Sequence, residues 1–323
     1  MFLAAPCYSF SVTGTALLLQ PTGGNLHYAA EAFPLPLYSP NWKIHKISPD
    51  YHFGFEVGIE IIFSCSNTNL MLNWEHFNSK DSGSKTVDPS DMIGPFFEIG
   101  PDASAYKQAH GRSTCDFDLV NLDYGIFLNL GKRLKTNLFS GVSYGYIKQT
   151  LFSRFASLDE TVVRTIKIPS IFRGAGPELG LDLSYRIADG FHFTGGGVVS
   201  LLVGTQKNHT NFTATSPGLA AIGAASPNDQ KTQVRSNTQV VPGVQGNLGL
   251  SYSAIFCDCY MLKIEAGYEA QVYIDAVQAV DIVSEVVTPP VVTDTVGVFA
   301  RTFQDNFSNF ALAGPYLKLE FGF

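Results

Sequence analysis

The chain has 323 residues, only 15% of them charged against about 25% in an average soluble domain. Its net charge of −7 and the absence of any Lys/Arg run argue against a nucleic-acid partner. No stretch of 18 apolar residues occurs, which excludes a transmembrane helix. The 25 Phe, 14 Tyr and 30 Gly instead suit a membrane β-barrel, which hides its hydrophobicity by alternating it.

Met1–Cys7 is short and lacks a basic region, so no export signal is visible there. The first strand is Tyr8–Leu19, with Tyr8, Phe10, Val12, Ala16 and Leu18 on one face. Residues 20–50 read as a Pro/Ser-rich loop. Tyr51–Phe63 is the clearest alternation. Phe53, Phe55, Val57, Ile59, Ile61 and Phe63 oppose His52, Gly54, Glu56, Gly58 and Glu60. After a turn, Asn69–Phe77 returns, and 78–114 reads as a polar loop.

Val120–Leu130 and Leu138–Lys148 form the next pair across the basic turn Gly131–Thr136. Pro177–Ile187 and Phe191–Val203 follow, joined by the tight turn Ala188-Asp189-Gly190. Residues 205–236 read as a polar loop. Val240–Phe256 and Met261–Ile274 pair across Cys257-Asp258-Cys259, and a last loop, 275–308, leads to Asn309–Phe323. In that closing strand Leu317, Leu319, Phe321 and Phe323 share one face, a pattern that resembles the insertion signal of bacterial outer-membrane barrels.

Short and long connections alternate along the chain, as periplasmic turns and extracellular loops do. The fold expected is all-β: one transmembrane antiparallel up-and-down β-barrel spanning 1–323, of at least ten strands. Further alternations at Trp42–Ile47, Val162–Ile168, Val280–Val287 and Val296–Thr302 raise the ceiling to sixteen. Both termini fall in the periplasm.

If the apolar face meets lipid, the other lines a lumen. Its charged set is Glu56, Glu60, Glu75, Asp123, Glu178, Asp182, Arg186, Lys263, Glu265, Glu269, Lys318 and Glu320. Acids outnumber bases, so a water-filled lumen favours cations weakly. The alternative is an internal ion-pair network plugging a narrow barrel, whose job is then structural or adhesive. Strand number decides, because small barrels fill with side chains and large ones hold a channel.

Of five cysteines, Cys7, Cys65, Cys257 and Cys259 are disulfide candidates at the periplasmic side, and Cys115 lies at the other end. An odd count leaves a thiol for a neighbouring chain or a buried site. No zinc spacing, catalytic motif or phosphate loop is present, so no metal, cofactor or catalytic residue is assigned.

The terminal Tyr316–Phe323, the glycine-punctuated strands Tyr51–Phe63 and Glu178–Tyr185, and the cysteine usage resemble the major outer membrane protein family of Legionella and related chlamydia-type porins. The resemblance implies an abundant, non-enzymatic, integral outer-membrane porin for ions and small hydrophilic solutes. It also implies assembly by the outer-membrane insertion machinery, disulfide-linked neighbours or a homo-oligomer, and surface loops that contact host or partner proteins.

Overall fold

The computed structural model describes residues 8–23, 26–33, 41–89, 91–95, 106–215, 228–233, 236–256, 260–287 and 297–323. Among these, the regular elements are all strands. The first seven are β1 (Tyr8–Gly23), β2 (His27–Phe33), β3 (Asn41–Lys46), β4 (His52–Phe63), β5 (Thr68–Thr86), β6 (Met92–Gly94) and β7 (Gln108–Leu130). Then come β8 (Leu134–Ala156), β9 (Val163–Arg186), β10 (Phe191–Thr215), β11 (Asn228–Gln233), β12 (Asn237–Phe256), β13 (Tyr260–Val287) and β14 (Gly297–Gly322).

Ten strands close into one antiparallel barrel in the order β1-β4-β5-β7-β8-β9-β10-β12-β13-β14, and β14 returns to β1. Closure follows from the solvent. A bilayer core offers no hydrogen-bond partner, so an open sheet edge there would strand a row of backbone groups. At the seam Phe10 and Phe323 exchange both backbone hydrogen bonds at 2.9 Å. The outward faces are apolar and fully presented: Phe53 is 66% exposed and Leu248 61%. Faces of this kind belong in lipid.

The strands run well beyond the membrane. A tilted transmembrane strand needs about 9–11 residues, whereas β10 has 25 and β13 has 28. On β7 the outward set changes from Leu122, Tyr124, Ile126 and Leu128 to His110, Arg112, Thr114, Asp116 and Asp118. The turn-proximal half of the wall therefore crosses the bilayer, and the other half stands above it as a polar crown.

This crown corrects the loop expectations. Lys80–Lys85 pairs residue by residue with Ala109–Thr114, and 205–215 continues β10. Val163–Ile168, Val280–Val287 and Gly297–Thr302 fall in extensions of β9, β13 and β14 rather than in extra barrel strands, Val162 just precedes β9, and Val296 lies outside the described residues. Such segments need no apolar alternation because backbone pairing, not lipid, specifies them. β11 takes the place beside β10 that β12 leaves above Asn237.

Trp42–Lys46 lies in a second, three-stranded sheet of order β3-β2-β6, and Ile47 follows directly on it. Its residues Tyr28, Ala29 and Ile93, with the adjoining Ile47, pack against inward-facing Ala109, Leu151, Phe155, Ile166 and Phe212 of the crown. The small sheet thus caps the outer mouth from within.

Candidate functional site

The lumen has layers. At the turn end lies a polar cavity of about 410 Å³. Of the residues expected to line it, Glu56, Glu60, Glu75, Asp123, Asp182, Lys263, Glu265, Glu269, Lys318 and Glu320 do border it. Two do not. Glu178 is buried in the wall, where it accepts a hydrogen bond from Ser143 Oγ. Arg186 is exposed at the turn end, its N–H bonded to the Arg133 carbonyl at 2.8 Å.

Neighbouring strands hold the acids in place. Asn69 Nδ2 donates to Glu60 Oε1 at 2.6 Å, and Ser11 Oγ donates to Glu60 Oε2 at 3.2 Å. Tyr316 OH donates to Glu265 Oε1 at 2.7 Å. Lys263 Nζ lies 3.0 Å from Glu265 and 3.6 Å from Glu320. One bond crosses the lumen: Gln271 Nε2 on β13 donates to Glu75 Oε1 on β5 at 2.6 Å, four strands round the barrel.

Above this cavity the inward face turns apolar. Leu17, Leu19, Phe77, Phe117, Ile147, Phe172, Leu202, Val241, Tyr273, Phe310 and Leu312 form a belt contributed from around the wall. Eight of these are 0% exposed. The Phe117 ring on β7 lies 5.5 Å from Tyr273 on β13 and 5.7 Å from Phe310 on β14.

Above the belt β13 bends inward. Its register with β14 slips between Tyr273 and Val277, and Asp275 has φ 57°. Alternation stops there: Ala276, Val277, Gln278 and Ala279 are all buried. Gln278 N–H donates to Ser170 Oγ on β9 at 2.9 Å, and its carbonyl accepts from Asn208 Nδ2 on β10 at 2.5 Å. A bulge of this kind re-aims a strand; here it fills the lumen.

The belt was absent from the sequence expectations, though a signal for it exists. Leu17-Leu18-Leu19, Leu201-Leu202-Val203 and Val240-Val241 are apolar on both faces, each where a strand leaves the membrane. Also missed were three histidine–acid pairs: His45–Glu31 at 2.6 Å, and His52–Asp81 and His76–Asp118 at 2.8 Å. Asp81 Oδ1 also accepts the Asp50 N–H at 3.0 Å, so that pair pins the start of β4 to the crown. Among the described residues no group of His, Cys, Asp and Glu is arranged to hold a metal.

The expected insertion residues Leu317, Leu319, Phe321 and Phe323 all face outward, 45% to 53% exposed. Cys65 is disulfide-bonded and Cys115 is a buried free thiol. Cys7, Cys257 and Cys259 lie outside the described residues.

Comparison with known proteins places the chain. The barrel is similar to the outer membrane protease OmpT from Escherichia coli, at 9% identity and a TM-score of 0.44, covering 100% of this chain and 98% of that one. It is also similar to the P. putida toluene transporter TodX, at 7% identity and a TM-score of 0.30, covering 99% and 90%. A Pseudomonas aeruginosa FadL homologue gives 7% and 0.28, covering 98% and 90%. No curated protein sequence matches the chain. The family described as Legionella pneumophila major outer membrane protein precursor matches residues 4–323. With that match on a closed, lipid-faced barrel, the chain belongs to the Legionella major outer membrane protein family and is an integral protein of the outer membrane.

Proposed function

We propose that this chain is an occluded outer-membrane barrel with a structural and surface-contact role, presenting its extracellular crown to host or partner proteins, and that it is not an enzyme. The observation that carries the reading is the meeting of Phe117 and Tyr273 from opposite walls. Rings that meet across a ten-strand barrel narrow any aqueous path, the buried belt around them fills the wall's inner face, and the inward bend of β13 adds to the barrier. Refolded protein in planar bilayers tests this. The expected result is no stable current at low voltage; steady channel steps from the unmodified chain would overturn it.

A second reading is porin-like diffusion of ions and small hydrophilic solutes with weak cation preference. The acid-lined cavity favours it. It requires the aromatic belt to yield, so its signature is a current whose reversal potential in a salt gradient follows the cation. Anion preference would sink it.

A further inference from the structure

We propose that the outer wall of β8, β9 and β10 carries a binding site for the phosphates of lipid A, the phosphorylated glycolipid of the outer leaflet. The observation is a set of outward cations that begins on the rim of the lipid-facing belt and continues up the crown above it. Register fixes their heights. Tyr144, Ala175 and Val203 lie side by side as the last apolar row. One row higher is Arg173, between Tyr146 and Thr205. The next row is Lys148, Ile171 and Lys207. Two rows further, Lys167 and Lys231 lie on either side of Asn211.

Rows on one face are about 7 Å apart and neighbouring strands about 5 Å. Arg173, Lys148 and Lys207 therefore stand within about 10 Å of one another, with Lys167 and Lys231 about 14 Å higher. Lys148 is matched by Asp116 at 2.8 Å. Arg173, Lys207, Lys167 and Lys231 are exposed and make no ion pair among the described residues. Arg173 is instead laid over the Tyr146 ring, its guanidinium carbon 4.9 Å from the centroid. That contact fixes the fork at the height where headgroups begin. The local field is positive enough to act on His209. Burial, and behind it the charges of Lys231 and Lys167, holds its imidazole below the ordinary value.

The patch is not a product of composition, since the chain's net charge is −7. Lys80 on β5 and Arg112 on β7 are further outward cations of the crown, whereas the described side chains of β1 and β14 add none to it. The first outward polar positions above the belt are Gln20 and Thr22 on β1 and Asn309 on β14. Positive groups bordering an apolar surface fit a ligand with acyl chains below and phosphates above. An acidic protein would not need the junction.

Binding of bisphosphorylated lipid A to the refolded barrel, measured by native mass spectrometry from zwitterionic micelles, tests the site. K167Q/R173Q/K207Q should weaken binding about a hundredfold, each surface cation being worth roughly a fivefold factor. Dephosphorylated lipid A should bind the unmodified chain as weakly as the variant binds the phosphorylated form. K43Q/K46Q/K80Q removes as many cations elsewhere and should change nothing. Equal binding by the first triple variant, or by dephosphorylated lipid, overturns the proposal. Should that variant fail to fold, R173Q and K207Q are read singly, and unchanged affinity in both overturns it as well.

Discussion

Phe117 and Tyr273 stand five strands apart in either direction round the barrel, yet their ring centroids are 5.5 Å apart. Opposite walls are joined by a side-chain contact, which converts a tube into a packed core. Phe117→Ala should cost about 3–5 kcal/mol, as truncating a buried Phe does. Combined with Tyr273→Ala and Phe310→Ala it should leave a through-path from the acidic cavity to the crown. In planar bilayers the triple variant should conduct with cation preference while the parent is silent. A silent, correctly folded triple variant would show that the β13 bend seals the lumen by itself.

Lys318 lies on the inward face of β14, directly opposite Thr15 on one side and Glu265 on the other. The charges acting on it are Glu56, Glu320, Glu265 and Asp182. Lys318→Met leaves these acids with Lys263 and, at the cavity's edge, Lys135. Because the cavity wets the group, the loss should stay below the roughly 3–5 kcal/mol of a fully buried broken pair. Urea unfolding should show the loss, and adding Glu56→Gln should recover part of it. No recovery would mean that the stem of Lys318, not its charge, is what the site needs.

The barrel was legible because lipid imposes a strict rule. Phe53, Val57 and Ile59 must all face out, and period-two alternation records that directly. Its closing strand was equally plain in Leu317, Leu319 and Phe321. The crown was not legible, since Lys80–Lys85 meets water on its outer face and nothing in its composition records pairing with Ala109–Thr114. The lumen was half legible. Glu56 and Lys318 were readable as inward polar groups, but Leu17 was hidden between Ala16 and Leu18 of the lipid face, and Phe117, between Asp116 and Asp118, lay before the alternation that begins at Val120. The Gln271–Glu75 bond joins residues 196 positions apart, and no local pattern announces it.

The cap is held by close approach at Gly111. A Cβ there would lie 2.4 Å from Cγ of Tyr28. Gly111→Val should push Tyr28, and β2 with it, out of the mouth. Limited proteolysis should then cut between β1 and β4 in the variant, while the barrel still migrates as folded on a cold gel. Tyr28→Ala in the same chain should remove the clash and restore part of the protection. Protection unchanged in Gly111→Val would place the cap's anchorage elsewhere.

The hairpin joining β8 to β9 depends on Asp159. Its Oδ1 accepts from Ser157 Oγ at 2.6 Å, Thr161 Oγ1 at 2.9 Å and Thr161 N–H at 3.2 Å. These bonds, led by Ser157, hold the carboxyl below its ordinary range. A depressed folded pKa means the ordering is present above the unfolded value and fades as pH falls through the folded one. Hydrogen-exchange protection at Val162, whose N–H bonds Ser157 Oγ at 3.1 Å, measured against the intrinsic rate at each pH, should be held at neutral pH and fall in acid. Asp159→Asn should remove that acid dependence.

Phe323 joins the two ends of the barrel wall. Its backbone exchanges both hydrogen bonds with Phe10, and its ring stacks on that of Phe10 at 6.1 Å. Phe321 in turn stacks on Tyr260 of β13 at 5.8 Å. The side chain points to lipid, away from the cavity, so it touches nothing that sets lumen properties. Phe323→Ala keeps every backbone bond and removes only the outward ring. If the outward ladder of Leu317, Leu319, Phe321 and Phe323 is what the insertion machinery reads, the variant should reach the outer membrane at a much lower level. The molecules that do insert should unfold in urea close to the parent. The comparison is made by quantifying barrel in the outer-membrane fraction against total synthesis. Parental levels in that fraction would refute the insertion role and leave Phe323 as a seam contact only.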